Sequence, residues 1–227
     1  MTLLSADDAI TQLRAAGDAR RALDAAAYHK VARPYLGVTV PVITDLAKSW
    51  REDLPPEARP AFAAALWDTD IHEARVAAAK LLTQARITDD AAVWSLIASW
   101  VPRFDAWAIA DQVCSAGARR LTAKPTRLDE VETWITNENM WTRRAALVMT
   151  LPWTKLPFPK PDDLAIRDRV LGWCVTLAPD RDWFIQKAIA WWLRELSKHD
   201  APRSRAFLDA HGEALKPFAR KEAAQYL

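Results

Sequence analysis

Cysteine, glycine and histidine are all scarce here, and each scarcity removes a class of protein. The two cysteines, Cys114 and Cys174, fall inside helical apolar patterns. They read as buried thiols of a reducing compartment and exclude a disulfide-stapled scaffold. Five glycines beside many alanines, leucines, arginines and glutamates favour helix over sheet. The four histidines, His29, His72, His199 and His211, lack metal-ligand spacing, so no metal and no cofactor is expected. No apolar run reaches the length of a membrane span. Ser5-Ala6-Asp7-Asp8 is a helix-capping signature, not the basic start of a signal peptide, so a cytoplasmic place is expected. Charge of one sign is also missing: a net charge of +2 and a pI near 8.6 permit nucleic-acid binding without arguing for it.

What remains is a chain of 227 residues, 51% hydrophobic and 26% charged, long enough to bury a core. Its 14 prolines sit mostly between periodic segments. Its 12 tryptophans exceed what a core of this size needs, although most must still be structural. Helices are expected from Ser5 to about Ala16, stopped by Gly17, and from Asp18 to Val31. Others follow from Pro41 to Arg51, Glu57 to Trp67 and Ile71 to Gln84. One more contains Trp94 and Trp100, and the next runs through Trp107 and Asp111 to near Gly117. Then come Thr126–Thr136, Asn139–Met149, Asp162–Leu177, Asp182–Lys198, Ala201–His211 and Pro217–Leu227, with Pro152–Pro161 as a loop. No segment alternates as a strand does. The expected fold is all-α: stacked antiparallel helix pairs forming a single domain over residues 1–227.

Four stretches share a pattern. With Ala77, Ala108, Ala145 and Ala188 taken as equivalent, the repeats are about 30–45 residues apart, near the period of paired-helix solenoids with a concave surface. Trp107, Arg144 and Lys187 then share one position. Asp111 and Trp191 share the position one helical turn later, on the same face. Two indoles, a carboxylate and a guanidinium on one groove suit a cationic or phosphate-bearing ligand. Trp192 points to another face and reads as core. Trp141 and Trp183 are expected to pack between repeats, and Glu73 and Asp105 to sit at helix starts where the dipole favours an acid.

At these residues the chain resembles the DNA alkylation repair enzymes of the AlkD type, HEAT-like repeat DNA glycosylases, almost from end to end. Tyr35-Leu36-Gly37-Val38 with Pro41 is similar to the family's N-terminal Leu-Gly and Pro segment. Trp67-Asp68 with the Glu73 helix, and Asn139-Met140-Trp141-Thr142-Arg143-Arg144-Ala145-Ala146, resemble two further family stretches. Phe184-Ile185-Gln186-Lys187-Ala188-Ile189-Ala190-Trp191 with Leu193-Arg194-Glu195 is the most specific piece, and Lys221-Glu222-Ala223 resembles the C-terminal one. One departure is Ala108 after Trp107, where the family usually has an acid.

The resemblance implies a right-handed solenoid of HEAT-like antiparallel helix pairs with a concave groove, acting as a monomer on duplex DNA containing alkylated bases, without a membrane. It implies that Asp111 is catalytic, that Trp107 and Trp191 contact the deoxyribose and backbone of the damaged nucleotide, and that Arg144 contacts phosphate. Lys187 is expected to contact the DNA backbone beside it. An N3- or N7-alkylated purine is cationic and already a good leaving group, so catalysis needs stabilisation of an oxocarbenium-like sugar. A carboxylate supplies that, and indole faces attract the cation. The family does not need to flip the base. Two other classes stay open: a catalytically silent DNA-structure-binding paralogue, and a helical-repeat protein-interaction scaffold.

Overall fold

The computed structural model describes residues 4–227, and among them all regular structure is helical. Backbone contacts group the chain, expected to form one domain over residues 1–227, into two compact units, the first ending at Arg120 and the second running from Leu121 to Leu227. The first holds α1 (Ala6–Ala15), α2 (Ala19–His29), α3 (Val40–Asp53), α4 (Arg59–Asp68), α5 (His72–Leu82) and α6 (Ala91–Trp100). Helix α7 (Trp107–Ala123) starts there and ends in the second. The second continues with α8 (Leu128–Glu132), α9 (Met140–Met149), α10 (Leu151–Thr154), α11 (Pro161–Leu177), α12 (Trp183–Ser197), α13 (Ala201–His211) and α14 (Pro217–Ala223). No helix among the described residues is long and apolar enough to cross a membrane.

Helix starts follow local chemistry. Ser5 Oγ accepts from the Asp8 N–H while the Asp8 carboxylate accepts from the Ser5 N–H, closing a capping box. Asp18, Asn139 and Asp182 cap α2, α9 and α12 through the N–H groups of Arg21, Trp141 and Phe184. Each such cap contributes about 1 kcal/mol. Proline opens α11 and sits in the first turn of α3 and α10, where its missing N–H costs nothing. That tolerance explains one departure from expectation: Pro152 lies within the short α10, so the expected Pro152–Pro161 loop shrinks to residues 155–160. A second departure is α7, which continues past Gly117 to Ala123, since one glycine lowers helix propensity without ending the helix.

Each unit is centred on one helix. In the first, α5 packs on both α3 and α4 and is buried almost all round, Glu73 to Ala79 included. Its alanines let the neighbours approach closely. Below it, Trp67 and Trp100 stack at 4.3 Å, and the Arg75 guanidinium lies 4.6 Å over the Trp67 ring. In the second unit α12 packs on α9, α13 and α14. Trp192 is fully buried, as its face predicts, and donates from Nε1 to Thr150 Oγ1 at 3.2 Å. Burial of each such side chain contributes about 2–3 kcal/mol. Ala77, Ala145 and Ala188 are buried, whereas Ala108 is half-buried, and the buried positions around it are Ala106, Ile109 and Ala110. Cys114 and Cys174 are buried and not joined in a disulfide, and burial pushes the Cys174 thiol up.

Both central helices carry a buried polar clamp. Glu73, expected only to favour a helix dipole, accepts from the backbone N–H groups of Leu36 at 2.9 Å and Gly37 at 2.7 Å. Gly37 sits at φ +73°, and a Cβ there would meet Asp18 O at 2.2 Å, so only glycine fits. Gln186 on α12 donates from Nε2 to Ala178 O at 2.9 Å and Asp180 O at 2.7 Å, and its Oε1 accepts from the Lys216 N–H at 2.7 Å.

Candidate functional site

In the first unit the selected residues lie on α7. Trp107 is its first residue and is 37% exposed. Asp111 follows one turn later, half-buried. The start of the helix is anchored from behind. Asp105, expected as a helix-dipole acid, is the ion-pair partner of Arg33 Nη2, and the Arg33 side chain is itself buried. Arg33 also lies 3.7 Å from Asp70, which pairs with Arg75 at 3.0 Å. Asp70 adopts a left-handed backbone (φ 56°), which aims its carboxylate at these two cations.

The Trp107 ring meets two others. Tyr28 approaches edge-on at 6.1 Å and His29 lies tilted at 5.8 Å. Behind His29, His72 stacks at 4.7 Å and Tyr35 stacks on His72 at 5.0 Å. Burial drives the His72 pKa down to about 4, aided by His29 and Arg33. Burial also lowers His29, against the opposing pull of Glu73. Both imidazoles are therefore neutral near pH 7. Sequence reasoning missed this stack, because the four rings come from α2, its following connector, α5 and α7.

In the second unit Arg144 lies on α9 and Lys187 and Trp191 lie on α12, which packs against α9. Lys187 and Trp191 are one turn apart on α12, both half-buried. Arg144 is only 4% exposed, with its guanidinium carbon 5.9 Å from the Trp141 ring centroid. Lys187 Nζ is ion-paired with Glu222 at 2.6 Å, and Glu222 also takes Arg194 at 2.5 Å. Arg143 bridges the other end of the helix pair, donating to Asp180 at 2.8 Å and to the Asn137 and Glu138 carbonyls. Much of the most specific motif, Gln186, Lys187 and Arg194, thus joins α12 to Lys216 and to α14 through Glu222. Trp183, expected to pack between repeats, stacks on Phe218 of α14 at 5.8 Å and stays 50% exposed.

A cleft of about 530 Å³ on the first unit is lined by Pro56, Arg59, Leu82, Arg86, Ile87 and Val93 among others. It contains none of the residues selected from the sequence. Among the described residues no group of three or more His, Cys, Asp or Glu side chains is placed to hold a metal ion.

The chain has the fold of a predicted DNA alkylation repair enzyme from Enterococcus faecalis, at 22% identity over 100% of this chain and 99% of that one, with a TM-score of 0.76. It is similar also to AlkD2 from Streptococcus mutans, at 17% identity over 83% of this chain and 90% of that one, with a TM-score of 0.62. No curated protein matches it. The family model described as DNA alkylation repair enzyme matches residues 9–227. By that match over nearly its whole length, the chain belongs to the DNA alkylation repair enzyme family.

Proposed function

We propose that this protein is a monofunctional DNA glycosylase that releases cationic N3- and N7-alkylated purines, of the 3-methyladenine and 7-methylguanine type, from duplex DNA. The observation that carries the reading is the pairing on α7 of a surface indole, Trp107, with a carboxylate one turn later, Asp111, in a chain of the alkylation repair family. The substrate supplies much of the driving force. A cationic base leaves as a neutral one, so positive charge moves from the base to the sugar as the glycosidic bond stretches. Asp111 opposes that charge and holds the attacking water. Trp107 and Trp191 attract the cationic nucleotide through the ring face, each for roughly 0.5–2 kcal/mol.

Arg144 is assigned a backbone phosphate, and its near-complete burial limits that contact to the outer edge of the guanidinium. Lys187 is assigned a backbone contact in competition with Glu222. The reading thus assigns a duplex contact to each unit, through α7 in the first and through α9 and α12 in the second. Selectivity resides in the lability of the charged nucleotide, so no pocket for an extruded base is required.

The test is release of 7-methylguanine from methylated duplex DNA. Asp111→Asn should lower the rate about a hundredfold or more while duplex binding persists. Release by the wild type that Asp111→Asn leaves intact, or equal release of uracil from a matched duplex, would defeat the proposal. Binding without release would favour the silent paralogue.

A further inference from the structure

We propose that His29 is a positioning residue for Trp107, setting the plane in which that indole meets the nucleotide. The inference rests on the glycosylase reading for its consequence in catalysis, but the placement itself stands on geometry. Tyr28, His29 and Trp107 form a closed triangle of rings, with centroids 5.1 Å apart for Tyr28 and His29, 6.1 Å for Tyr28 and Trp107 and 5.8 Å for His29 and Trp107. Tyr28 is largely exposed, so it cannot hold the indole by itself. His29 can, because it is backed by His72 at 4.7 Å and by Tyr35 at 5.9 Å, which also stack on each other at 5.0 Å. The indole thus leans on a cluster of three mutually stacked rings, one of them, His72, carried by α5, the most buried helix of its unit.

The chemistry of the cluster matters as much as its shape. An imidazolium at His29 would sit 5.8 Å from the Trp107 ring and occupy the quadrupole that a cationic base needs. It would also repel that base directly. Several features keep His29 neutral. Its Nδ1 is buried with no hydrogen-bond partner among the described residues. The groups facing it are His72 and Glu73 on α5, and Arg33 and Tyr35 on the connector. The Glu73 carboxylate is spent on the Leu36 and Gly37 N–H groups. The Arg33 guanidinium, held in place by Asp105 and Asp70, disfavours a second positive charge on His29. An aromatic hydrocarbon ring at position 29 would preserve the support and remove the titration, and a small side chain would remove both.

Two measurements test this. The first is the rate of 7-methylguanine release against pH, corrected for spontaneous loss, for wild type, His29→Phe and His29→Ala. At neutral pH His29→Ala should lose about tenfold in kcat with KM little changed, and His29→Phe should recover most of it. On acidification the wild type should slow as His29 protonates, while His29→Phe should lack that limb. The second is the ¹⁵N-indole resonance of Trp107, assigned with Trp107→Phe. It should move with the His29 titration in wild type and should not in His29→Phe. An indole resonance indifferent to His29, or a His29→Ala enzyme with wild-type kcat, overturns the proposal. A wild type that releases no base defeats the glycosylase reading alone, and the resonance then decides the placement.

Discussion

The two units place a buried polar side chain in comparable positions, near the start of a central helix, but choose opposite chemistry. In the first, the distant backbone offers two N–H groups, from Leu36 and Gly37, and the clamp is the acceptor-only carboxylate of Glu73. In the second, the backbone offers two carbonyls and one N–H, from Ala178, Asp180 and Lys216, and the clamp is the amide of Gln186, which both donates and accepts. The groups presented by the main chain dictate the side chain, because a buried donor or acceptor left without a partner costs about 1–3 kcal/mol. The difference extends to charge. The first unit buries a cluster of ionisable groups around its clamp, including Arg33, His29 and His72. The second unit's clamp is neutral, and its most buried ion pair, Arg167 with Asp200 at 3.1 Å, lies on other residues.

Exchanging the two chemistries is the most severe test. Gln186→Glu sets a carboxylate against two carbonyls and should destabilise the protein by about 3–5 kcal/mol, read by denaturant unfolding. Glu73→Gln leaves one N–H facing an NH₂ group and should cost about 2–3 kcal/mol. Equal and small losses from both would show that the clamps do not discriminate.

The contrast in charge gives the next effect. Burial lowers the folded His72 from 6.5 to about 4. Between those values the unfolded chain binds a proton that the folded one refuses, so stability falls as pH falls from 6.5 towards 4. The contribution is about 3 kcal/mol, and His72→Gln should flatten it relative to wild type in parallel unfolding curves.

Glu222→Gln addresses the second unit. It should release Lys187 and Arg194 and steepen the salt dependence of duplex binding by about one unit if Lys187 reaches phosphate. An unchanged slope would confine Lys187 to its structural pair. The smallest effect is local to the first unit. Lys30, which ends α2 at φ 57°, bears a left-handed backbone that glycine adopts freely. Lys30→Gly should raise stability by about 0.5–1 kcal/mol in the same assay.

The sequence revealed what depends on neighbours along the chain. The helix starts at Ser5, Asp18, Asn139 and Asp182 carry their own caps, and the core face of Trp192 follows from periodicity. Trp107 and Asp111 on one helix face also follow from spacing alone. It hid what depends on partners far away. Nothing local to Glu73 announces the N–H groups of Leu36 and Gly37, and nothing local to Lys187 announces Glu222. The Leu-Gly and Ile-Gln-Lys stretches carry the family resemblance, and the structure shows that Gly37 and Gln186 within them serve the fold. The cluster of rings behind Trp107 escaped for the same reason: two scattered histidines show no metal spacing and give no hint that they stack.

The two thiols offer a use of their own. Cys114 sits in the first unit and Cys174 in the second, both shielded and neither in a disulfide. A thiol reagent can modify either one only after its surroundings open. The native sequence therefore carries one chemical stopwatch per half, and mass spectrometry of the singly tagged species would tell whether the halves open in concert or one before the other.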